Sequence, residues 1–350
     1  MRKAYGIVGV SLLLLVLGTG CQNPPTAVHP AFYHWKTSFA PSTEALHLVE
    51  QMETERIYLR IFDIDWNEAE RAPAPLALLK TRQSLEQLPV DWVPTVFITN
   101  RSLTQLAVQE VPAFADKLSD KILEQVKALR LQPVPEVQLD CDWTESTRDI
   151  YFRLLAHCRK RMAQEGIQLS ATIRLHQLRY PEQTGIPPVD RGMLMYYNMG
   201  DVHKWEEPNS ILNNAAAAPY LQAAKYKLPL DLALPAFQWG VLFREGEMIR
   251  LLSGLAESDL QDPKRFYNMQ GGRYEVVQGT FLEGHYLYKG DLLRLETVRL
   301  QDLETAVEQL RALNWAGDVY LTFYHLDGVH EIGLDVAALK QLGSQLKNAN

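Results

Sequence analysis

Asp140 and Asp142 stand two positions apart at the end of a short apolar run that is typical of a β-strand. Alternate residues of a strand project from the same face, so the two carboxyl groups should lie close enough to repel each other. One of them is then expected to hold its proton to a higher pH than the other, which suits acid–base chemistry or the binding of sugar hydroxyl groups. The alternative is a pair of strand-end carboxylates neutralised by Arg60 or Arg174.

Polar and aromatic side chains also stand at the ends of other predicted strands. Asp63 and Asp65 repeat the spacing of the first pair, although such residues also cap loops. The flat face of a tryptophan packs against the apolar face of a sugar ring, while carboxylates and amides bind its hydroxyl groups. The sequence therefore predicts that several strand-end side chains converge on one ligand, and the further candidates are His34, Trp35, Trp66, Trp143, Arg174, His176, Trp239, Tyr324, His325 and Asp327.

The elements that must position these residues form an alternating pattern. Short β-branched or aromatic runs alternate with longer amphipathic stretches along most of the chain. The predicted strands lie at 31–39, 56–64, 92–99, 136–142, 168–176, 192–198, 230–239 and 318–325. The predicted helices lie at 43–53, 76–88, 112–130, 147–165, 210–226, 300–313 and 334–346. Only the connection from the fifth to the sixth strand, which contains Pro181, Pro187 and Pro188, lacks a helical pattern.

The alternation within the fourth and fifth strands favours a closed barrel over an open sheet. Each strand has one apolar face, and the opposite faces carry Gln138, Asp140 and Asp142, and Ser170, Thr172, Arg174 and His176. Polar residues on the inner faces, concentrated toward the carboxyl ends of the strands, are typical of a (β/α)8 barrel with its site at that mouth. An open doubly wound sheet would need apolar residues on both faces, and no glycine-rich nucleotide motif follows the first strand.

We expect one folded domain from residue 31 to residue 347. About 315 residues suit a (β/α)8 barrel with insertions. A long segment at 242–297 separates the seventh and eighth strands and contains strand-like pieces at 274–279 and 285–288. This segment predicts a small β-rich inserted subdomain, which is either a wall of the binding site or a structural flap.

Residues 1–20 predict a signal peptide, because Arg2 and Lys3 precede an apolar run that is shorter than the ~20 residues of a membrane span. The ending Gly20-Cys21 resembles the lipobox of bacterial lipoproteins, although Gly18 stands where such boxes carry Leu, Val or Ile. Residues 21–30 are rich in proline and predict a tether. We expect export and a lipid anchor on Cys21, at the outer membrane or the periplasmic face of the cell envelope, with plain secretion as the alternative.

Charge and cysteine usage exclude several classes of function. The net charge is −7, or −9 without the two leader cations, and the basic residues are dispersed, which argues against a nucleic-acid partner. Cys141 and Cys158 are expected to be buried free thiols, with a disulfide as the alternative. No histidine or cysteine pair has metal-ligand spacing, so we predict no metal and no cofactor.

Three short motifs carry a resemblance to a known family. The segment from Asp140 to Glu145 resembles the fourth-strand signature of family 18 glycoside hydrolases, the chitinase-like barrels, which reads Asp-x-Asp-x-Glu. Residues 195–198 are similar to that family's Met-x-Tyr-Asp, and residues 234–240 resemble its Gly-x-Pro-x-Tyr-Gly run. The resemblance implies a bacterial lipoprotein family related to these barrels, with a glycan ligand that carries N-acetyl groups.

The resemblance also implies roles for individual residues. In that family a glutamate protonates the glycosidic oxygen, and the acetamido oxygen of the substrate attacks the anomeric carbon. By position, Asp142 would steer the acetamido group with Asp140 as its partner. Tyr197 would hold the acetamido oxygen, and Asn198 replaces an aspartate.

The acid itself departs from the family pattern. Thr144 occupies its place, and Glu145 follows one residue later, on the other face of an extended strand. A bulge or an early end of the strand would bring Glu145 into the mouth.

Two main hypotheses follow from these residues. The first is a glycan hydrolase that works with Asp140, Asp142, Glu145 and Tyr197. The second is a carbohydrate-binding or scaffold lipoprotein that has lost the general acid. A barrel enzyme of different chemistry that uses Arg174, His176 and Asp142 is a third possibility. The predicted substrate-binding residues are Trp35, Asp63, Asp65, Arg174, His176, Asn198, Gln238, Trp239 and Tyr324.

Overall fold

The computed structural model describes residues 24–81, 84–222, 226–313 and 315–347. The predicted signal peptide at 1–20 and Cys21 lie outside these residues, as does the start of the predicted tether. Within the described ranges, no helix is long and apolar enough to cross a membrane.

Eight parallel strands close into a barrel, which confirms the predicted (β/α)8 fold. In chain order they are β1 (Val28–His34), β2 (Arg56–Asn67), β3 (Asp91–Ile98), β4 (Glu136–Asp140), β5 (Gln168–Arg174), β6 (Arg191–Met195), β7 (Leu230–Pro235) and β8 (Val319–Tyr324). Each strand pairs with the next along the chain. The barrel closes because β1 pairs with both β8 and β2.

The helices cover the outside of the barrel and bury the apolar faces of the strands. They are α1 (Thr43–Gln51), α2 (Asn100–Gln105), α3 (Val111–Ala128), α4 (Arg148–Ala163), α5 (Leu175–Arg179), α6 (Pro181–Thr184), α7 (Asn214–Leu221), α8 (Leu300–Leu310), α9 (Gly328–Glu331) and α10 (Val336–Lys347). Ser42 and Asn213 cap α1 and α7, because each side-chain oxygen accepts a hydrogen bond from a first-turn N–H. Three single-turn 3₁₀ helices lie at Leu85–Gln87, Val108–Glu110 and Glu257–Leu260.

The helix predicted at 76–88 is wrong. The strand β2 continues past the barrel to Asn67, and Ala72–Leu76 folds back to pair with it in antiparallel fashion. Lys80–Thr81 then pairs with the short strand Ser38–Phe39. The amphipathic pattern of this segment is therefore overridden by backbone hydrogen bonds to neighbouring strands, which periodicity does not reveal.

Several element ends also differ from the prediction. The strand β1 begins at Val28, because Val28–Phe32 pair with β8. The strand β5 stops at Arg174, and His176 lies in α5 instead of the predicted strand. The helix predicted at 210–226 is limited to α7.

The insertion between β7 and β8 has its own sheet and its own apolar cluster. Its five antiparallel strands are Gln238–Arg244, Glu247–Ser253, Phe266–Gln270, Arg273–Val276 and Leu292–Thr297. A hairpin of Thr280–Leu282 and His285–Leu287 follows the fourth of these strands along the chain. Leu242, Leu252 and Val276 lie in the apolar cluster. The sheet therefore begins at Gln238, within the segment predicted to belong to the seventh barrel strand.

A buried ion pair joins this insertion to the loop that follows β6. The Nε of Arg294 donates to Glu296 at 2.6 Å, and both side chains are buried. The other carboxylate oxygen of Glu296 accepts hydrogen bonds from Ser210 Oγ (2.6 Å) and from the indole N–H of Trp239 (2.8 Å). These contacts fix the loop at 199–213 against the insertion.

A second buried cluster of charges lies at the amino-terminal ends of the barrel strands. Arg56 donates to Glu136 at 2.8 Å, and Arg191 donates to both oxygens of Asp231. Burial, followed by the nearby charge of Asp231, raises the pKa of Glu136 to about 7. The interior of the barrel at this end therefore contains charged side chains that pair with one another.

Candidate functional site

The inner faces of β4 and β5 carry a ladder of polar pairs, as the strand alternation predicts. Residues 138 and 170 are opposite each other in the strand register, and the polar pairs continue two residues at a time toward the mouth. The three pairs are Gln138 with Ser170, Asp140 with Thr172, and Asp142 with Arg174. The two aspartates therefore share the interior face, one above the other.

Asp140 is buried below the mouth. The hydroxyl of Thr172 donates to its Oδ1 at 2.6 Å. The pKa of Asp140 is raised to about 6, mainly by burial; the charge of Arg174 opposes this rise, and the charge of Asp142 adds to it. Asp140 thus has the raised pKa that the sequence predicted for one member of the pair, but desolvation is a larger cause of it than the predicted repulsion.

Asp142 is held by Arg174. The guanidinium Nη2 donates to Oδ2 at 2.9 Å, and Nε donates to Oδ1, so both carboxylate oxygens are engaged. The side chain of Asp142 is 54% exposed, whereas that of Arg174 is 23% exposed. For Asp142 the structure therefore shows the neutralised pair that the sequence allowed as an alternative, while the carboxylate still faces solvent at the mouth.

The strand β4 ends at Asp140, two residues earlier than predicted. The chain then turns: the backbone N–H of Thr144 donates to Thr147 Oγ1 at 3.0 Å, just before α4 begins. The Thr144 side chain contacts the hydroxyls of Ser146 and Thr147. Because the strand has ended, Glu145 is exposed and lines the same cavity as Asp142.

This cavity has a volume of about 750 Å³. The carboxyl ends of β4, β5 and β6 supply most of its wall, and α7 supplies Tyr220. Its lining residues are Asp142, Trp143, Thr144, Glu145, Arg174, Leu175, His176, Gln183, Thr184, Met195, Tyr197, Asn198, Met199 and Tyr220. Burial, followed by the charge of Arg174, lowers the pKa of His176. The cavity therefore combines carboxylates, one guanidinium, amides and aromatic rings, the groups that bind sugars.

An aromatic cluster adjoins the cavity inside the top of the barrel. The ring of Tyr197 stacks on Tyr324 at 5.1 Å, and Tyr324 contacts Trp35 at 5.6 Å. Phe237 contacts Tyr324 and also Trp239, at 5.2 Å. The structure thus brings together Trp35, Tyr197, Trp239 and Tyr324, which are distant in sequence.

Two other predicted tryptophans have structural contacts. Trp143 is buried and stacks on Tyr151 of α4 at 5.4 Å, and its indole N–H donates to the carbonyl of Thr184. Trp66 lies on the outer extension of β2, where its backbone carbonyl accepts a hydrogen bond from Arg101 of α2. It is not among the residues that line the cavity.

The second aspartate pair does not reach the cavity. Asp63 is neutralised by Arg60 through both oxygens. A bulge between Arg60 and Phe62 allows the side chains of Arg60 and Asp63, three positions apart on the strand, to contact each other. Asp65 accepts from Thr99 at 2.6 Å, and this hydrogen bond lowers the pKa of Asp65. Asp63, Asp65 and Gln238 are all absent from the cavity wall.

Gln183, Met199 and Tyr220 line the cavity but were not predicted from the sequence. Gln183 and Thr184 come from the proline-rich connection that lacked a helical pattern, and this lack was the only signal for them. Cys141 and Cys158 are buried free thiols. Among the described residues, no three His, Cys, Asp or Glu side chains are arranged to hold a metal ion.

Comparisons with known proteins extend the resemblance at the level of the fold. No protein-family model and no curated sequence matches the chain. The spore cortex-lytic enzyme SleL of Bacillus cereus is 14% identical over 95% of this chain and 76% of its own, with a TM-score of 0.54. A chitinase of Chromobacterium violaceum is 12% identical over 93% of this chain and 99% of its own, with a TM-score of 0.55. The Group IV chitinase of Ostrinia furnacalis is 13% identical over 92% of this chain and 100% of its own, with a TM-score of 0.52. The chain therefore has the fold of the chitinase-like barrels.

Proposed function

We propose that the mouth cavity binds a glycan and performs glycoside-hydrolase-like chemistry on it. One observation carries this proposal: β4 ends early, so that Asp142 and Glu145 line one cavity at the carboxyl end of the barrel. Active sites of (β/α)8 enzymes lie at this end. The aromatic cluster beside the cavity supplies the apolar surface that a sugar ring needs.

N-acetylated sugars are the substrate class that we propose. Of the three structural relatives described above, two are chitinases and one is a spore cortex-lytic enzyme. The Ostrinia furnacalis Group IV chitinase has also been solved in complex with allosamidin, with a TM-score of 0.51 to this chain. These relatives, which are 11–14% identical to this chain, guide the choice of test substrates.

In this proposal Glu145 donates the proton to the leaving oxygen, and Asp142, which lines the same cavity, orients the ligand. Arg174 holds the Asp142 carboxylate in place through hydrogen bonds to both of its oxygens. Asp140 supports Asp142 from below and holds a proton below about pH 6. The hydroxyl of Tyr197, which follows β6 and lines the same cavity, supplies a further hydrogen-bonding group.

The second candidate function is glycan binding without turnover. Two observations favour it: Thr144 stands in the place of the family's acid, and Arg174 engages both oxygens of Asp142. In this case the cavity would retain affinity for oligosaccharides and show no hydrolysis.

Hydrolysis and binding measured on the same variants separate the two functions. We would assay chitin oligosaccharides and peptidoglycan glycan strands with the wild type, Glu145→Gln and Glu206→Gln. Glu206 is exposed and absent from the cavity wall, which makes it the matched control. The hydrolase proposal expects activity to fall at least about a hundredfold in Glu145→Gln alone, with binding retained. Activity that survives this change removes Glu145 as the acid, and binding without any wild-type hydrolysis supports the second function.

We also propose that the protein is exported and anchored to the cell envelope through an acylated Cys21. The proposal rests on the cationic and apolar leader and on the Gly20-Cys21 ending. Metabolic labelling with a radioactive fatty acid tests it: label should enter the wild type and be absent from Cys21→Ser. An unlabelled wild type that is found in the medium would indicate plain secretion.

A further inference from the structure

A second cavity lies where the inserted subdomain meets the barrel. Its volume is about 710 Å³, which is within the range of small-molecule sites. The end of the loop at 199–213, the start of α7, the insertion and the first turns of α8 supply its walls, and we call it the insertion cavity. It shares no lining residue with the cavity at the mouth of the barrel. A ligand of the insertion cavity would therefore be bound by a different set of side chains.

Hydrogen bonds hold the walls of the insertion cavity together. The side-chain amide of Asn209 donates to the carbonyl of Thr297, at the end of an insertion strand, at 2.8 Å. The side-chain amide of Asn214 donates to the carbonyl of Asp302 in α8, also at 2.8 Å. Both asparagines line the cavity. The walls are therefore preorganised, and a ligand would not have to order them on binding.

Tyr274 brings a hydroxyl group without a partner to this cavity. The residue is 4% exposed and belongs to the apolar cluster of the insertion, yet it also lines the cavity. Among the described residues, none forms a hydrogen bond with its hydroxyl. Burial, followed by the charge of Glu257, raises the pKa of Tyr274, so the Glu257 carboxylate lies nearby. A buried tyrosine usually pairs its hydroxyl, and here the cavity is the place from which a partner can come.

Charged side chains of both signs line the insertion cavity. Glu257 and Asp302 carry carboxylates, and Arg299 carries a guanidinium. In the part of the chain that the structure describes, the charged groups of these three residues form no hydrogen bond or ion pair. Asn268 and Gln270 add side-chain amides to the wall. A ligand that carries both an ammonium and a carboxylate group can form charge-assisted hydrogen bonds with both signs.

A sugar ring fits these walls less well than a peptide does. Among the described residues that line the insertion cavity, Tyr274 is the only aromatic one, and its ring is packed in the apolar cluster. The wall therefore lacks the flat aromatic face that sugar rings pack against. The N–H and carbonyl groups of a peptide, by contrast, complement the side-chain amides of the wall.

We propose that the insertion cavity binds a short peptide with free ends. Arg299 holds the terminal carboxylate of this peptide, and Glu257 and Asp302 hold its terminal ammonium group. The hydroxyl of Tyr274 and the side-chain amides of the wall pair with the peptide groups between the two ends. The inference does not depend on the proposed function, because the two cavities have no lining residue in common.

Isothermal titration with alanine peptides tests this inference, since alanine adds no side-chain charge. The wild type should bind trialanine more tightly than free alanine, which cannot reach both charged groups and the amides. N-acetylation removes the ammonium group of trialanine, and amidation removes its carboxylate. Each modification should weaken binding at least about tenfold, the effect of losing one hydrogen-bonded charge.

Variants assign the two ends of the peptide to their partners. Arg299→Gln should bind trialanine at least about tenfold more weakly and should no longer distinguish it from its amide. The double variant Glu257→Gln with Asp302→Asn should no longer distinguish trialanine from its N-acetyl form. Lys264→Gln and Glu247→Gln are the matched controls, because both residues are exposed in the insertion and absent from the cavity wall.

Several results would overturn the inference. One is a wild type that binds no alanine peptide, or that binds free and blocked peptides equally. Another is trialanine binding that Arg299→Gln leaves unchanged, since the peptide would then occupy a different site. Tighter binding of the N-acetylglucosamine disaccharide than of trialanine, weakened by Tyr274→Phe, would assign the cavity to a sugar instead. Thermal unfolding of each variant establishes that it is folded before titration.

Discussion

Asp140 should make the stability of the barrel fall as the pH rises. Its pKa is raised by burial from 3.8 to about 6, so the folded state binds its proton more tightly than the unfolded state does. The stabilisation from this proton is complete below pH 3.8 and is lost as the pH rises through about 6. Asp140→Asn removes the titration and keeps an oxygen that can accept the hydrogen bond from Thr172.

The magnitude follows from the shift. A difference of about two pKa units, at 1.36 kcal/mol per unit, corresponds to about 3 kcal/mol of stability. The wild type should therefore lose about 3 kcal/mol relative to Asp140→Asn between pH 3.5 and pH 8. Above pH 7 we expect the variant to be the more stable protein, because it has no buried charge to desolvate.

Urea unfolding followed by tryptophan fluorescence, repeated at intervals across this pH range, measures the difference. Asp116→Asn is the matched control, since it removes an exposed carboxyl group of α3 and no buried charge. A stability difference between wild type and Asp140→Asn that stays constant from pH 3.5 to pH 8 would refute the reasoning. It would mean that Asp140 is solvated well enough to ionise as an exposed carboxyl group does.

Three further expectations follow from the buried charges. Arg174→Met removes the group that most lowers the pKa of Asp140, so the midpoint of the Asp140-linked stability change should move above pH 6 in the same titration. Glu296→Gln leaves the buried charge of Arg294 without its partner, and we expect a loss of about 3 kcal/mol in urea unfolding together with altered fluorescence of Trp239. Glu136 has a raised pKa near 7, so Glu136→Gln should flatten the loss of stability that the wild type shows as the pH rises through neutrality.

The barrel could be predicted because its pattern is local. Each of the eight predicted strands overlaps an observed barrel strand, because β-branched and aromatic runs between amphipathic stretches rarely form any other element. The interior pairing of Asp142 with Arg174 was likewise among the alternatives that strand alternation allowed. Segment 76–88 was mispredicted because its partner strand, β2, extends beyond the barrel.

The candidate site depends on features that the alternation of polar and apolar residues along a strand cannot specify. The bulge in β2 decides that Arg60 meets Asp63 rather than Asp140. The early end of β4 decides that Glu145 reaches the cavity although its parity places it on the opposite face. Tyr220 could not have been selected, because nothing near it in sequence indicates a site.

The sequence alone determined the closed barrel, its polar interior and the end at which the acidic residues gather, because hydrophobic periodicity and strand parity are properties of neighbouring residues. The tertiary structure alone decided which charges are paired, which carboxyl group is desolvated and which side chains share one cavity. Those outcomes depend on where the strands end and on groups that are far apart in the chain. Only the closed fold fixes the distances between such groups.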